Sequence, residues 1–459
     1  MNVKRICRSF SAGILSCVIA ASGCGEILSA LAADDENDEY AVSSETLAAM
    51  EEDYYTIEPV DSDMLSFSDY YDLYSSVNRP DKVIEVNGTD YTSFDGDMYV
   101  GSYSADGVEK DDVLIWSGSD GEVFYNINVE ESGLYCLNID YCALVSNSSS
   151  VELSMKIDGK APYDTASRIT LNRVWVNEQE IYKDSRGNQV RPSQIQKEMW
   201  QNCWVGDVEG LFSQPLFFYL EEGEHEVSFS SERAQIAVES FRFANPEELP
   251  SYSDYVSSVK ASVTKETTPS GMFRIEGENA VYKSDSTLYP TYDNTNYLVS
   301  PSDPRKVVYN TLGSENWKKA LQSVTWIIPK EKIGNDGWYK IGIKSRQDQM
   351  RGFYSNRRIY IDDKVVCEEM DQVKFYYDND WDVVSPKADG DNIYVYLDAS
   401  VDHTITLEAI PGEIGDSLRK LDDVVADLNT YYRKVLMITG PSPDKYTDYY
   451  VHEKIPELV

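Results

Sequence analysis

The chain has 459 residues, which is too long for one ordinary domain and predicts two or three. Its formal net charge of −38 makes a surface that repels polyphosphates, so the composition excludes nucleic acid as a partner. The 34 tyrosines and 8 tryptophans favour strands and ligand-stacking surfaces over helical bundles.

Residues 1–32 predict an export signal. A basic start precedes an apolar stretch from Phe10 to Ala21, which is too short to span a membrane. Ala21-Ser22-Gly23-Cys24 resembles a bacterial lipobox, in which the cysteine thiol takes a diacylglycerol. Ala30-Leu31-Ala32 is a competing A-x-A cleavage site, but Cys24 directly follows the apolar stretch. We therefore expect an extracellular protein anchored to the membrane by a lipid on Cys24, with secretion as the alternative.

An acidic segment follows the export signal. From Asp34 to Asp72 there are fourteen acidic side chains and no basic one. The segment lacks dense apolar periodicity, so it predicts a solvated linker over 33–75.

Two later regions repeat each other in matched segments. Gly133 and Gly337 each open an alternating strand, and twenty-four residues later Ile157 and Ile361 each precede a turn of the Asp-Gly or Asp-Asp type. The next matched tyrosine follows 62 residues after Ile157 but only 35 after Ile361, so the first copy carries an insertion of about 27 residues. The chain therefore contains two homologous regions.

Both copies consist of short alternating strands separated by turn residues, which is the pattern of an antiparallel β-sandwich. The predicted fold class is all-β: two tandem sandwiches of the jelly-roll, galactose-binding-like kind. The first covers 76–246 with its inserted loop, a linker covers 247–270, and the second covers 271–412.

The last segment, 413–459, is predicted to be helical. An apolar stripe with 4-3-4-3 spacing runs along it, formed by Ile414, Leu418, Leu421, Val425, Leu428, Tyr432 and Val435. One helix cannot bury such a stripe alone. We therefore expect it to pack on the second sandwich or to lead into a further domain that this sequence lacks.

The second copy opens with a recognisable motif. Ile275-Glu276-Gly277-Glu278-Asn279-Ala280 resembles the first strand of carbohydrate-binding modules of families 6 and 35, as do Gly337-Trp338-Tyr339 and the hairpin at Tyr360-Ile361-Asp362-Asp363. Residues 421–429 and the following Met437-Ile438-Thr439-Gly440-Pro441 resemble extracellular solute-binding lipoproteins of Gram-positive carbohydrate ABC importers. The resemblance implies the front part of such a lipoprotein, which binds oligo- or polysaccharides and works with ABC permease subunits.

Glu276 and Glu278 are a candidate metal pair. Alternate residues of a strand share one face, and two hard carboxylates on one face suit Ca²⁺. The resemblance implies a structural Ca²⁺ held by this pair. The alternative is an edge strand with two solvated glutamates.

Sugar recognition needs flat aromatic faces with polar groups at the rim. In or beside the inserted loop the candidates are Arg173, Trp175, Tyr182, Trp200 and Trp204. In the second copy they are Tyr377 and Trp381, within an aromatic and acidic stretch. For any one of these aromatic residues, packing in the core is the alternative.

The sequence gives little support for catalysis. None of the three histidines stands near a nucleophile motif, and no GxSxG, HExxH or phosphate-binding glycine loop occurs in the sequence. We therefore expect a non-catalytic carbohydrate-binding surface protein. The alternatives are a structural or protein-interaction surface lipoprotein and an accessory region of a polysaccharide-degrading enzyme.

Overall fold

The computed structural model describes residues 64–147, 150–263, 269 and 271–458. The export signal predicted over 1–32, the lipid on Cys24 and most of the acidic linker lie outside these residues and stay predictions. No helix in the described ranges is long and apolar enough to cross a membrane. The described helices are α1 (Phe67–Tyr74), α2 (Tyr252–Ser262), α3 (Lys330–Ile333), α4 (Glu413–Thr439) and α5 (Val451–Lys454).

Strands make up most of the regular structure, which confirms the predicted β fold class. Before α2 the described strands are β1 (Ile84–Asn87), β2 (Tyr91–Ala105), β3 (Val108–Val129), β4 (Gly133–Ala143), β5 (Ser150–Ile157), β6 (Ile169–Asn172), β7 (Val174–Asn177), β8 (Tyr182–Lys183), β9 (Gln189–Val190), β10 (Gln194–Lys197), β11 (Trp200–Trp204), β12 (Phe217–Leu220), β13 (Gly223–Arg233) and β14 (Ile236–Ala244). After α2 they are β15 (Tyr282–Lys283), β16 (Pro290–Thr291), β17 (Thr311–Leu312), β18 (Ser323–Ile328), β19 (Gly337–Lys340), β20 (Ile343–Ser345), β21 (Tyr354–Ile361), β22 (Val373–Tyr376), β23 (Asp382–Val384), β24 (Lys387–Ala388), β25 (Asp391–Asn392), β26 (Tyr394–Leu397) and β27 (His403–Ile410).

The first sandwich is organised by a ten-stranded antiparallel sheet with the order β11-β4-β14-β3-β13-β5-β6, to which β1, β2 and β12 are added. Its core is rich in aromatic rings, including the buried Trp116, Tyr141 and Phe218. The second sandwich has a smaller aliphatic core that contains Ile359 and Val395. The strands β19 and β26 pair with each other and so do β20 and β23, outside the main sheet of that sandwich.

Matching registers in the two sandwiches support the duplication read from the sequence. In the first, Gly133 of β4 lies opposite Leu220 of β12. In the second, Gly337 of β19 lies opposite Leu397 of β26, which is the same register. Both copies therefore fold their matched segments in the same way.

A histidine–aspartate pair is repeated as well. Nδ1 of His225 lies 2.7 Å from Asp158 Oδ2, and Nδ1 of His403 lies 2.6 Å from Asp362 Oδ2. Each aspartate has a positive φ and begins the turn that follows the predicted strand. The histidines therefore fasten equivalent turns, and both of their ring nitrogens are engaged.

The ends of both predicted linkers are folded. Helix α1 lies within 33–75 and α2 within 247–270, and each begins at a serine cap, Ser66 or Ser251. The Tyr70 hydroxyl of α1 accepts a hydrogen bond from the Tyr219 N–H, and the Tyr255 hydroxyl of α2 accepts one from the Tyr396 N–H. The repeated unit therefore starts with a helix, in a stretch that the sequence predicts to be a linker.

The inserted segment of the first copy joins the sheet of the second. That seven-stranded sheet has the order β10-β7-β15-β18-β27-β21-β22, and β7 and β10 come from the insertion. Trp175 of β7 lies opposite Lys283 of β15. The Lys283 side chain is 2% exposed, and its Nζ donates to Asn177 Oδ1 at 2.7 Å and Gln194 Oε1 at 2.9 Å. The two sandwiches thus share one continuous sheet.

Helix α4 contacts the rest of the protein near its beginning. The Arg419 guanidinium lies 4.9 Å from the ring centres of both Tyr71 and Phe212. Further along, the predicted stripe is exposed, with Leu421 at 58% and Leu428 at 61%. The described side chains from 420 to 430 are all exposed, so this middle part of the stripe does not pack on the second sandwich.

Candidate functional site

Arg173 does not reach the surface. Its side chain is 0% exposed, and Nη1 donates to the Leu144 carbonyl and to Gln196 Oε1, while Nε and Nη2 have no partner among the described residues. Burial lowers the pKa of this guanidinium. Arg173 is therefore a buried cation between strands. The prediction that it binds a ligand is wrong, because its side chain does not reach the surface.

The structure places Trp175 and Tyr182 in different elements. Trp175 lies in β7 between two paired strands, and its indole N–H is buried without a partner. Tyr182 is exposed on the short hairpin β8–β9. Trp175 is thus half-buried within the sheet, whereas Tyr182 is exposed on the hairpin.

Trp200 and Trp204 lie on one face of β11, opposite Cys142 and Asn138 of β4. Each ring has a cation over it. Lys110 Nζ lies 4.6 Å from the Trp200 ring, and the Arg242 guanidinium lies 5.6 Å from the Trp204 ring. Both rings are partly buried against apolar clusters. A sugar could therefore stack only on a ring face that neither the cation nor the apolar cluster covers.

Trp381 is held differently, at the edge of the second sandwich. Its indole Nε1–H donates to Asp293 Oδ2 at 3.1 Å. Arg346 Nη1 donates to the same oxygen at 3.0 Å, and the guanidinium lies 5.4 Å from the Trp381 ring centre. Two hydrogen bonds to one carboxylate therefore fix an aromatic ring and a cation side by side.

Asp293 is the centre of this cluster. Its other oxygen, Oδ1, accepts from the N–H and the hydroxyl of Thr295, at 2.8 and 2.6 Å. Burial by itself raises the pKa of Asp293, but the hydrogen bonds from Thr295 and Trp381 and the charge of Arg346 outweigh it and lower the pKa to about 2. The carboxylate is therefore ionised at neutral pH and accepts these hydrogen bonds as an anion.

Three loops meet at the cluster. The loop after β16 supplies Asp293, the segment after β20 supplies Arg346, and the loop between β22 and β23 supplies Trp381. The Tyr377 N–H donates to the Phe353 carbonyl at 3.0 Å, which ties the second and third loops together. We call these three loops the loop cluster.

Several rings of the loop cluster are exposed to solvent. Tyr297 is 90% exposed and Tyr376 is 66% exposed, and the set also contains Tyr292 and Phe353. The Tyr377 hydroxyl donates to Asn379 Oδ1 at 3.0 Å, so its polar end is engaged within its own loop. The two residues predicted from the second copy, Tyr377 and Trp381, therefore stand in a surface that carries further aromatic rings.

The predicted Ca²⁺ pair is not on a strand. Gly277–Asn279 forms a 3₁₀ turn, which the Asn279 N–H closes by donating to the Glu276 carbonyl at 3.1 Å. The side chain of Glu276 forms a salt bridge with Arg274 at 2.8 Å. Glu278 is buried, and its Oε2 has no partner in the part of the chain that the structure describes. Burial together with the charge of Glu276 raises the pKa of Glu278. Within the described ranges, no group of three or more Asp, Glu, His or Cys residues is arranged to hold a metal.

Asp293 and Arg346 were not predicted from the sequence. Both are single polar residues in loops, separated by 53 positions, and no local motif joins them. The only sequence signal was the aromatic character of the neighbouring Tyr292.

No protein-family model and no curated protein matches the sequence. Similar solved structures include a β-(1,4)-mannanase from Podospora anserina, at 10% identity and a TM-score of 0.22 over 37% of this chain and 29% of that one. The C-terminal family 6 module of a laminarinase from Zobellia galactanivorans has 10% identity and a TM-score of 0.21, over 36% of this chain and 100% of the module. A family 35 module from Clostridium thermocellum has 11% identity and a TM-score of 0.20, over 36% and 99%. Each match thus covers about a third of this chain, and this chain spans under a third of the mannanase.

Proposed function

We propose that this is a non-catalytic carbohydrate-binding protein and that the loop cluster of the second sandwich is its binding site. The observation that carries the proposal is the fixed position of Trp381, whose indole N–H and neighbouring Arg346 are both bound by Asp293. An aromatic ring held in one orientation loses little freedom when a sugar stacks on it. The exposed tyrosines of the loop cluster offer further stacking faces and hydroxyl groups.

The ligand proposed is a neutral glycan. The Arg346 guanidinium already forms two salt bridges. Its Nη1 pairs with Asp293, and its Nη2 lies 3.3 Å from Asp348 Oδ2. The exposed residues Asp378, Asp380 and Asp382 lie next to Trp381 in the sequence. With a net charge of −38 on the chain, a uronate polymer would meet repulsion both at long range and in the site.

Asp293 is a poor candidate for a catalytic acid. General acid catalysis works best when the pKa of the group is near the operating pH, whereas the pKa of Asp293 is about 2. Its four hydrogen bonds leave it as a positioning carboxylate. This supports binding without turnover.

A glycan array tests the proposal. The full chain, labelled at a primary amine, is expected to bind at least one class of neutral oligosaccharide and to give background signal on uronate polymers. Product analysis of the bound glycan after prolonged incubation should find it uncleaved. Background signal on all neutral plant, microbial and host glycans would overturn the proposal, and new reducing ends would overturn its non-catalytic part.

We further propose that the protein is a lipid-anchored extracellular component of a carbohydrate ABC importer. The proposal is supported by the lipobox at Cys24 and by the resemblance of residues 421–429. Mass spectrometry of the mature protein from membranes is expected to find diacylglycerol on an N-terminal Cys24. A start at Ala33 would overturn the anchor. Co-purification of the full chain with permease subunits from detergent extracts tests the importer role.

Binding of Ca²⁺ at Glu276 and Glu278 remains a proposal, supported by the buried, unpartnered Oε2 of Glu278. At a free Ca²⁺ concentration about a hundred times the Kd, binding is expected to raise the free energy of unfolding by about 3 kcal/mol. We expect Glu278→Gln to abolish this increment and the exposed Glu315→Gln to keep it, measured by thermal unfolding in Ca²⁺ and in EGTA. An equal response of wild type and Glu278→Gln would place any Ca²⁺ elsewhere.

One observation favours the second candidate function, a structural or interaction protein. The stripe of α4 leaves Leu421, Leu428 and Tyr432 exposed, and exposed apolar rows of this kind are typical of protein contacts. Under this alternative Trp381→Ala would leave every binding activity of the chain unchanged.

A further inference from the structure

A hairpin of the first sandwich lies against a loop of the second. The backbone N–H of Gln189, in β9, donates to the Val307 carbonyl at 2.9 Å. The Gln189 side-chain Oε1 accepts from the Tyr309 N–H at 2.6 Å. The Asn188 side-chain Oδ1 accepts from the Val307 N–H at 3.2 Å. The Val307 N–H and carbonyl and the Tyr309 N–H thus form their hydrogen bonds with the inserted hairpin β8–β9.

The next residue along, Asn310, connects this contact to the loop cluster. Asn310 Oδ1 accepts from the Asp293 N–H at 2.8 Å, and Asn310 Nδ2 donates to the Asp293 carbonyl at 3.1 Å. The ring of Tyr309 also lies 6.1 Å from that of Tyr292. One side chain therefore clamps both backbone groups of the residue that holds Trp381.

The hairpin is itself firmly placed. In its turn, Asp184 Oδ1 accepts from the N–H groups of Arg186 and Asn188, both at 2.8 Å. Beyond the hairpin, β10 and β7 continue into the shared sheet, and the Arg191 guanidinium lies 3.7 Å from the Tyr289 ring centre. The hairpin is therefore attached to the second sandwich on both sides of its contact with residues 307–309.

We propose that the insertion of the first sandwich is a positioning element for the binding site of the second, and that Gln189 is its main positioning residue. The order of contact is Gln189 to Tyr309, then Asn310 to Asp293, and Asp293 to Trp381. Gln189 acts only through this chain of hydrogen bonds and need not touch the glycan. The inference rests on the proposed function, because it assigns the glycan site to the loop cluster, but its structural part can be measured without a glycan.

The test compares three single variants of the full chain. Gln189→Ala removes the acceptor for the Tyr309 N–H, whereas Gln189→Glu keeps an acceptor oxygen at the same position. Ser185→Ala changes an exposed residue in the turn of the same hairpin and serves as the control. The first readout is the indole N–H signal of Trp381 in a ¹H–¹⁵N spectrum, identified by its loss in Trp381→Phe. The second is the Kd for the neutral glycan found on the array.

Gln189→Ala is expected to move the Trp381 indole signal and to weaken glycan binding about threefold to tenfold, the range expected for one hydrogen bond. Gln189→Glu and Ser185→Ala should keep both at wild-type values. An unmoved indole signal in a folded Gln189→Ala protein would overturn the positioning proposal. A moved signal in a protein that binds no glycan in any form would instead overturn the proposed function and leave the positioning intact.

Discussion

Trp381→Ala is expected to weaken binding of the neutral glycan by about 30-fold, which corresponds to about 2 kcal/mol for loss of a central aromatic anchor. The variant removes the stacking face and one of the two donors to Asp293 Oδ2. Arg346 and Thr295 still satisfy that carboxylate, so the fold should be kept. Isothermal titration calorimetry with the full chain gives the change in Kd.

Two further variants make this result specific. Trp381→Phe keeps a ring without the indole N–H, so it should lose less affinity than Trp381→Ala. Tyr446→Ala removes a ring that is 85% exposed and lies after helix α4, and it should bind as wild type does. If Trp381→Ala is folded and binds with wild-type affinity, the site is not the loop cluster.

Lys283→Met is expected to stabilise the protein at pH 7 by about 1–3 kcal/mol, the range seen when buried charges are replaced by apolar groups of similar size. Lys283 is buried, and its ammonium contacts two amide oxygens, those of Asn177 and Gln194, with no carboxylate among its described hydrogen bonds. Burial lowers its pKa from 10.5 to about 8. Methionine removes the buried charge, and Gln194 Nε2 still donates to Asn177 Oδ1 at 2.8 Å.

The pH dependence of this difference is the sharper measurement. Below pH 8 the lysine is protonated in both the folded and the unfolded chain, so the whole penalty of burial is present. Between pH 8 and 10.5 the folded protein releases the proton while the unfolded chain keeps it, and the wild type gains stability relative to Lys283→Met. Urea unfolding of both proteins across this range, with the exposed Lys183→Met as a charge-matched control, gives the difference. A variant that is less stable at pH 7 by an amount constant with pH would contradict the expectation.

The sequence predicted the fold class and the repeat because both depend on local patterns. The matched glycines and turns recur at fixed spacing, and the structure gives Gly133 and Gly337 the same register. The two helices at Ser66 and Ser251 were missed, although each serine precedes an aspartate at the capping distance. Their short, tyrosine-rich sequences have weak helical periodicity, and they are held by hydrogen bonds from distant strands.

The candidate site was predicted only in part. Aromatic stretches point to Tyr377 and Trp381, but Asp293 and Arg346 become partners only when three loops meet. The Glu276-Gly277-Glu278 alternation failed as a strand because its backbone closes a 3₁₀ turn in place of pairing with a neighbouring strand. The meeting of three loops around Asp293 depends on tertiary contacts that a local pattern does not contain.

The shared sheet joins the two repeats, because it contains β7 and β10 of the first repeat together with strands of the second. Strand β15 has only two residues, and it pairs with β18 on one side and with β7 of the other repeat on the other. A cut between the repeats at Ala244 would remove β7 and leave β15 as a bare edge, open to pairing with other chains. Because strands of both repeats pair in this sheet, we expect that shuffling or grafting of this protein would have to move 64–412 as a single block.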